Sequence, residues 1–292
     1  MGPHRHNVPV TPDPPTVLRY AAFTDHGRGG NPAGVVLDAT TLTEEEMQSI
    51  AAEVGYSETA FLVPTAAGQA TVRYFSPQAE VAFCGHATIA TAVAVAERDG
   101  PGTLHLSTAA GPVPVATARG EEGITATLTS PPASSAPADD ATVEELLRAL
   151  GWARQDLDAD WPVHVANAGN DHPVVGVASL DRLAGLDYDY DALARLMAER
   201  GWTTVCAFWA ESADLFHARN AFPPGGVVED PATGAAAAAF GGYLRTVLGA
   251  RAPGRFTILQ GHHMGAPSRL LVDLTRENRT VAVTGTATPL DG

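Results

Sequence analysis

The sequence predicts an α+β protein of two pseudo-symmetric lobes. Each is a curled mixed β-sheet or barrel around a central apolar helix, with an active-site cleft between them. Two stretches predict this. Residues 80–96 run from Glu80 through Cys84-Gly85-His86 into a series of small and aliphatic residues, and residues 229–245 run from Glu229-Asp230 through Thr233-Gly234-Ala235 into an alanine run and Phe240-Gly-Gly-Tyr243. Superposing Gly85 on Gly234 pairs Cys84 with Thr233 and His86 with Ala235. The third observation is that several short strand patterns and one capped surface helix precede the apolar stretch in each half, a weak internal duplication.

A helix apolar on every side must be buried, so each stretch reads as the core of a lobe. Each follows a glycine-containing loop, which leaves free backbone N–H groups and a positive dipole end. Two such ends facing one another form an anion site ready for a carboxylate.

The chain in order supports the duplication. Val17 to Phe23 reads as a strand, residues 27–34 as a glycine-rich turn, and Val35 to Leu37 as a short buried strand. A phosphate loop is a poor reading of that turn, because it leads into a strand instead of a helix. Thr43-Glu-Glu-Glu46 is a capping box, with Met47, Ile50, Ala51 and Val54 on one helical face and Gly55 as the stop. Strands follow at 56–63 and 72–75, then the first central helix from about His86 to Arg98, then strands at 104–106, 113–116 and 124–128. Pro131, Pro132 and Pro137 among Ser and Ala mark residues 130–140 as a linker. Beyond it, Thr142-Val-Glu-Glu145 reads as the cap of a helix ending at Gly151, and Tyr190 to Arg200 as an amphipathic helix ending at Gly201. Strands are expected at 163–166, 174–177, 203–209, 215–219, 255–260, 269–274 and 280–284, with the second central helix from about Gly234. The N-terminal lobe is therefore placed at 17–129 and the C-terminal lobe at 141–278, with 279–292 packing back on the N-terminal lobe.

Composition removes several classes of function. At 292 residues, 45% hydrophobic and 17% charged, the chain has the composition of a soluble globular protein, and no run approaches a membrane span. Residues 1–15, rich in His and Pro and lacking an apolar core, read as a loose tail and not a signal peptide. Two cysteines give no disulfide framework, so a cytoplasmic location is the expectation. A net charge of −15 argues against nucleic acid. All 18 basic residues are arginine. Without lysine there is no pyridoxal phosphate Schiff base, no lysine-type aldolase and no Walker A loop.

Few residues remain to carry chemistry. Glu58 lies in an apolar strand, where a carboxylate is costly unless it is paired, neutral or turned outward; its functional reading is a desolvated acid suited to proton transfer. His86 in the first turn of a buried helix is a core or capping residue, or a neutral hydrogen-bonding imidazole at a dipole end. Asp230 precedes the second central helix as a cap, or as a group that holds a polar part of a substrate or shuttles a proton. Cys84 reads foremost as a small packing residue; opposed thiols would make a two-base racemase, but Thr233 stands where the second thiol is needed. His262 and His263 are adjacent and so point apart, which leaves no metal set.

Five motifs then resemble one family. Asn31-Pro-Ala-Gly34, Ser57-Glu-Thr-Ala-Phe61, Phe83-Cys-Gly-His-Ala-Thr88, Glu229-Asp-Pro-Ala-Thr-Gly234 and Gln260-Gly-His-His-Met-Gly-Ala-Pro-Ser-Arg269 occur in the order found in PhzF-like phenazine-biosynthesis-type isomerases, which share the diaminopimelate epimerase fold. The resemblance implies two pseudo-symmetric lobes, a homodimer, and proton transfer with no cofactor and no metal. Glu58 matches the family's catalytic acid/base, and His86 and Asp230 match two supporting polar residues. Gly85 and Gly234 match backbone positions facing a substrate carboxylate, and Cys84, Thr233, Ala235 and Ser268 complete the expected substrate site. Ala235 departs from the best-studied phenazine pattern, which has serine after the glycine.

The expected function is a cofactor-independent isomerase acting on a small carboxylate, with Glu58 as acid/base. Its rivals are an epimerase or racemase of a small amino acid and a non-catalytic small-molecule-binding homologue. Retention of Glu58, His86 and Asp230 together argues against the last.

Overall fold

A computed structural model describes residues 15–274 and 278–291. The expected N-terminal tail lies almost wholly outside them. The first half comprises β1 (Leu18–Ala22), β2 (Asn31–Val36), α1 (Glu44–Val54), β3 (Glu58–Ala66), β4 (Gln69–Phe75), the short β5 (Glu80–Val81), α2 (Gly85–Asp99), β6 (Thr103–Thr108), β7 (Gly111–Gly120) and β8 (Gly123–Thr129). The second half comprises β9 (Ser134–Pro137), α3 (Asp140–Leu150), β10 (His164–Asn167), β11 (Asp171–Gly176), α4 (Leu180–Ala184), α5 (Tyr190–Arg200), β12 (Val205–Ala210), β13 (Leu215–Ala221), β14 (Glu229–Asp230), α6 (Gly234–Leu248), β15 (Arg255–Gln260), β16 (Ser268–Leu274) and β17 (Val281–Pro289).

The strand pairings are duplicated. From β1 through β2, β3, β4, β6 and β7 to β8, successive neighbours are antiparallel, parallel, antiparallel, parallel, antiparallel and antiparallel. The same series runs from β10 through β11, β12, β13, β15 and β16 to β17. β17 also pairs with β8 and with β1, which closes the first lobe into an eight-stranded barrel. Closure leaves that sheet without an exposed edge. β9 extends the second lobe beyond β10.

Each lobe is filled by its own helix. Along α2, residues 86–94 and Ala96 are buried; along α6, residues 236–244 are buried. Small residues let strands approach a helix closely on all sides, whereas larger side chains would hold the barrel wall away. Gly242 shows the limit: a Cβ there would lie 2.9 Å from the Ser134 backbone nitrogen in β9. Phe240 fills what the small residues leave, with its ring 4.8 Å from Phe208 and 5.0 Å from Phe216.

Three local expectations change. The segment 130–140 is not structureless, because β9 forms within it and pairs with β10; its prolines lie outside the strand or at its last position, where a missing N–H is tolerated. The cap of α3 is Asp139, whose carboxylate accepts from the Thr142 N–H, and Thr142 itself is buried inside the first turn. The short α4, capped by Ser179, has no counterpart in the sequence reading. The capping box at Thr43 and the bounds of α5 and β15 stand as read. Among the described residues, no helix is long and apolar enough to cross a membrane.

Candidate active site

α2 and α6 both begin at the boundary between the lobes, and Gly85 and Gly234 both line a cavity of about 690 Å³ there. Neither N-cap residue spends its side chain on its own helix: Cys84 and Thr233 make no capping hydrogen bond. The first-turn N–H groups of both helices are therefore not capped by these side chains, and both dipole ends favour negative charge. A Cβ built on Gly85 would meet nothing within 4 Å, so the space in front of α2 is open. Ala235 also lines the cavity and is half-buried.

Glu58, at the start of β3, reaches this cavity with its side chain 17% exposed. Its Oε2 lies 3.4 Å from His86 Nε2 and accepts from the Cys84 thiol at 3.4 Å. Ser57 Oγ lies 3.3 Å from the same His86 nitrogen. Burial first, then the Glu58 charge, pushes the Cys84 thiol well above its ordinary value, so it stays protonated and acts as a donor. The thiol expected to be mainly a packing residue thus touches the carboxylate directly.

Asp230 stands on the other lobe. Asn31 Nδ2 donates to its Oδ1 at 2.7 Å, and Thr233 Oγ1 donates to its Oδ2 at 2.6 Å. Gln260 fixes the loop behind it, donating to the Asp230 carbonyl at 2.7 Å and to Thr233 Oγ1 at 3.1 Å. Burial raises the Asp230 carboxyl to about 6, against the lowering effects of His86 and of the Thr233 and Asn31 donors. Ser268 is placed elsewhere: it is fully buried, its hydroxyl donates to the Ala266 carbonyl, and it is not among the residues lining the cavity.

Glu58, Cys84 and His86 offer three donor atoms within 4.8 Å of one another, the geometry from which a metal site would be built. The fit is poor. Cys84 Sγ is 3.4 Å from His86 Nδ1 but 3.8 Å from Nε2, so it lies beside the ring and not ahead of the Nε2 lone pair. An ion in line with Nε2 would be out of reach of the sulfur at ordinary bond lengths.

In the sequence Asn31, Ser57 and Gln260 stand only as parts of motifs, with no role of their own. Phe23 is a further residue that the sequence did not single out. It is fully buried at a positive φ of 61°, a conformation costly for a bulky side chain, and its ring lies against Gly234 and Gly285. The only forewarning is that both neighbours are glycines.

Comparison with known proteins places the chain in a family. The family model for phenazine biosynthesis-like proteins, PhzC-PhzF, matches residues 20–292. The chain belongs to the PhzC-PhzF family. An uncharacterised isomerase of Bacillus subtilis (strain 168) is 32% identical over 282 residues, covering 93% of this chain and 95% of that protein. A trans-2,3-dihydro-3-hydroxyanthranilate isomerase of Pseudomonas fluorescens is 33% identical over 250 residues, covering 85% and 86%. The crystal structure of a PhzF-family phenazine biosynthesis protein from Bacillus anthracis superposes with a TM-score of 0.84 at 29% identity, covering 94% of this chain and 96% of that one. A probable proline racemase from Agrobacterium radiobacter shares the fold at a TM-score of 0.62 and 15% identity. Curated PhzC-PhzF relatives of this chain are thus named isomerases, and its fold extends to racemases.

Proposed function

We propose that this protein is a cofactor- and metal-independent isomerase that moves a proton between two carbons of a small carboxylate. The observation that carries the reading is the placement of Glu58 Oε2, in the same cavity as the N-termini of α2 and α6. The substrate carboxylate sits between Gly85 and Gly234. Glu58 takes the proton from carbon, the electrons of the C–H bond move into the conjugated system, and the helix ends stabilise the negative charge that develops. The same carboxyl then returns the proton to a second carbon on the same face. His86, Ser57 and Cys84 orient Glu58, and Asp230 holds a polar group of the substrate. Closure of the lobes excludes water, which would otherwise quench the carbanion.

The arrangement favours one base over two. Gly30-Asn31-Pro-Ala33-Gly-Val35 aligns with Gly169-Asn170-Asp-His172-Pro-Val174. Ala33 pairs with Glu58 and Val174 with Cys206, so Thr204 is the pseudo-symmetric counterpart of Glu58, as Thr233 is of Cys84. Two hydroxyls stand at the positions equivalent to the carboxylate and the thiol, and neither replaces the second base that stereoinversion needs. The name of the Pseudomonas relatives makes a dihydro-hydroxyanthranilate the first compound to assay, with Ala235 the reason to extend the panel. The active protein is a homodimer in this reading, and the cytoplasm its compartment. Screening small carboxylates in deuterated water tests the proposal: incorporation at carbon by the purified, chelator-treated protein supports it, and turnover that a chelator abolishes overturns the metal-independent mechanism.

A further inference from the structure

A second cavity, of about 620 Å³, adjoins the first at the facing helix ends. Phe83, Gly85, Asn170, Gly234 and Ala235 line both, so the N-termini of α2 and α6 form the boundary between them. The two differ in chemistry. The first holds Glu58, His86 and Asp230, whereas no charged side chain lines the second. Its walls are largely apolar and stiff. β7 contributes Pro112, Val113 and Pro114, and prolines have little freedom left to lose when a ligand packs on them. The Phe83 ring stands edge-on to Tyr74 at 6.1 Å, and the Tyr74 hydroxyl is bonded to Thr88 at 2.6 Å. One face of α6 leads from the first cavity into the second. Ala235 lines both, and Ala238, three residues further along the same helical face, lines only the second of the two. At their boundary Ala235 presents a methyl group and no hydroxyl. An uncharged chamber of this size has room for a substantial part of a ligand.

We propose that the second cavity is a substrate subsite, and that it takes an apolar arm of the carboxylate on which the protein acts. The inference rests on the carboxylate site proposed above, between Gly85 and Gly234. A carboxylate held on that boundary presents its reacting carbons to Glu58 in the first cavity. A group in the second cavity must then leave the substrate close to the carboxyl, in the other direction. The substrate class narrows accordingly, from small carboxylates to carboxylates that carry an alkyl or aryl substituent near the carboxyl group. The arm adds affinity through its buried apolar surface and takes no part in moving the proton.

Calorimetric titration of the full chain with benzoate and its 2-methyl, 2-ethyl, 2-propyl and 2-butyl derivatives tests the assignment. Affinity is expected to rise about fourfold with each added carbon, the equivalent of roughly 0.8 kcal/mol per buried methylene. Val113 is half-buried and lines the second cavity but not the first. Val113→Trp fills the chamber, so it is expected to remove the gain for 2-butylbenzoate and leave benzoate affinity unchanged. In NMR of the wild-type complex, nuclear Overhauser contacts are expected between the butyl protons and the Val113 methyl groups. That measurement decides the matter even if the variant fails to fold. Flat affinity along the series overturns the proposal, as does a gain that survives in folded Val113→Trp. So do Overhauser contacts of the butyl group only to residues confined to the first cavity, such as Val227. Sedimentation of the same variant tests a second copy of the chain as the occupant. A shifted monomer–dimer equilibrium with unchanged ligand affinities would make the chamber an interface and overturn the subsite. If benzoate and its alkyl derivatives all fail to bind, the carboxylate site itself is overturned; if they bind without gain, only the subsite is.

Discussion

Asn31 Nδ2 and Asp230 Oδ1 are 2.7 Å apart, and the bond between them joins the first residue of β2 in one lobe to the last residue of β14 in the other. It ties the two lobes together within the network that includes Thr233 and Gln260. It also stabilises the charged form of a carboxyl that burial otherwise pushes toward protonation, up to about 6. The site is thus tuned by a contact between lobes.

That contact sets a pH dependence. Our mechanism uses ionised Asp230, which accepts from both Asn31 and Thr233, so kcat/KM is expected to fall as the pH drops below about 6. Removing a donor disfavours the carboxylate, so Asn31→Ala moves this acidic limb to higher pH. Stability changes in the opposite sense. The folded-state pKa lies above the unfolded value of about 3.9, so the folded protein holds more protons between about pH 4 and pH 6. This group's contribution is therefore fully present below pH 4 and is lost as the pH rises through 6. Denaturant titrations of wild type and Asp230→Asn over that window are expected to differ in slope, the variant being the flatter. Parallel slopes would show that Asp230 does not titrate there.

Cys84 provides a second test, because its thiol is held well above the ordinary value by burial and by Glu58. It is expected to resist iodoacetamide at neutral pH in the folded protein and to react after denaturation. As an orienting donor and not a base, it contributes one hydrogen bond. Cys84→Ala should therefore lower kcat by about tenfold or less, the worth of roughly 1.4 kcal/mol. A loss as large as that of Glu58 would show that the thiol itself moves a proton and is more than an orienting donor.

Ala235 bears on substrate choice. It lines the cavity next to Gly234 and is only half-buried, so the hydroxyl of Ala235→Ser faces the cleft. Where the bound ligand is apolar at that point, the hydroxyl has no partner and costs about 1–3 kcal/mol of affinity. A dihydro-hydroxyanthranilate that regains a contact there binds more tightly instead. Parallel calorimetry with that compound and with the best substrate from the carboxylate screen distinguishes the two.

The fold was legible because its two central helices are conspicuous. Ala-rich stretches after Gly85 and Gly234 have no surface face, and the chain around them alternates short strands with glycine and proline. The candidate site was legible where a polar side chain interrupts an apolar pattern, as Glu58 does in β3 and His86 in α2, and where a polar residue precedes a central helix, as Asp230 does. Asn31 stayed hidden because its partner, Asp230, is 199 positions away. His172, Thr204 and Asn220 escaped notice for a different reason: each reads as an ordinary polar residue in or beside a strand, and only the fold brings them into one hydrogen-bonded series. Ser268 illustrates the converse, since its position in a motif led to a site role while its hydroxyl turns to the Ala266 carbonyl. The β9 strand was obscured by the prolines around it.

The central claim is that Glu58 carries the proton, and Glu58→Gln tests it most directly. The amide keeps the size of the side chain and its place beside Cys84 and His86, so the fold and carboxylate affinity should be retained. Turnover of any substrate found by the deuterium screen should fall by about 10²–10⁴, the worth of a positioned general base. In deuterated water the wild-type protein should place deuterium on the receiving carbon, and the variant should neither introduce deuterium nor wash protium out. Wild-type turnover and exchange by a folded Glu58→Gln protein would contradict the account.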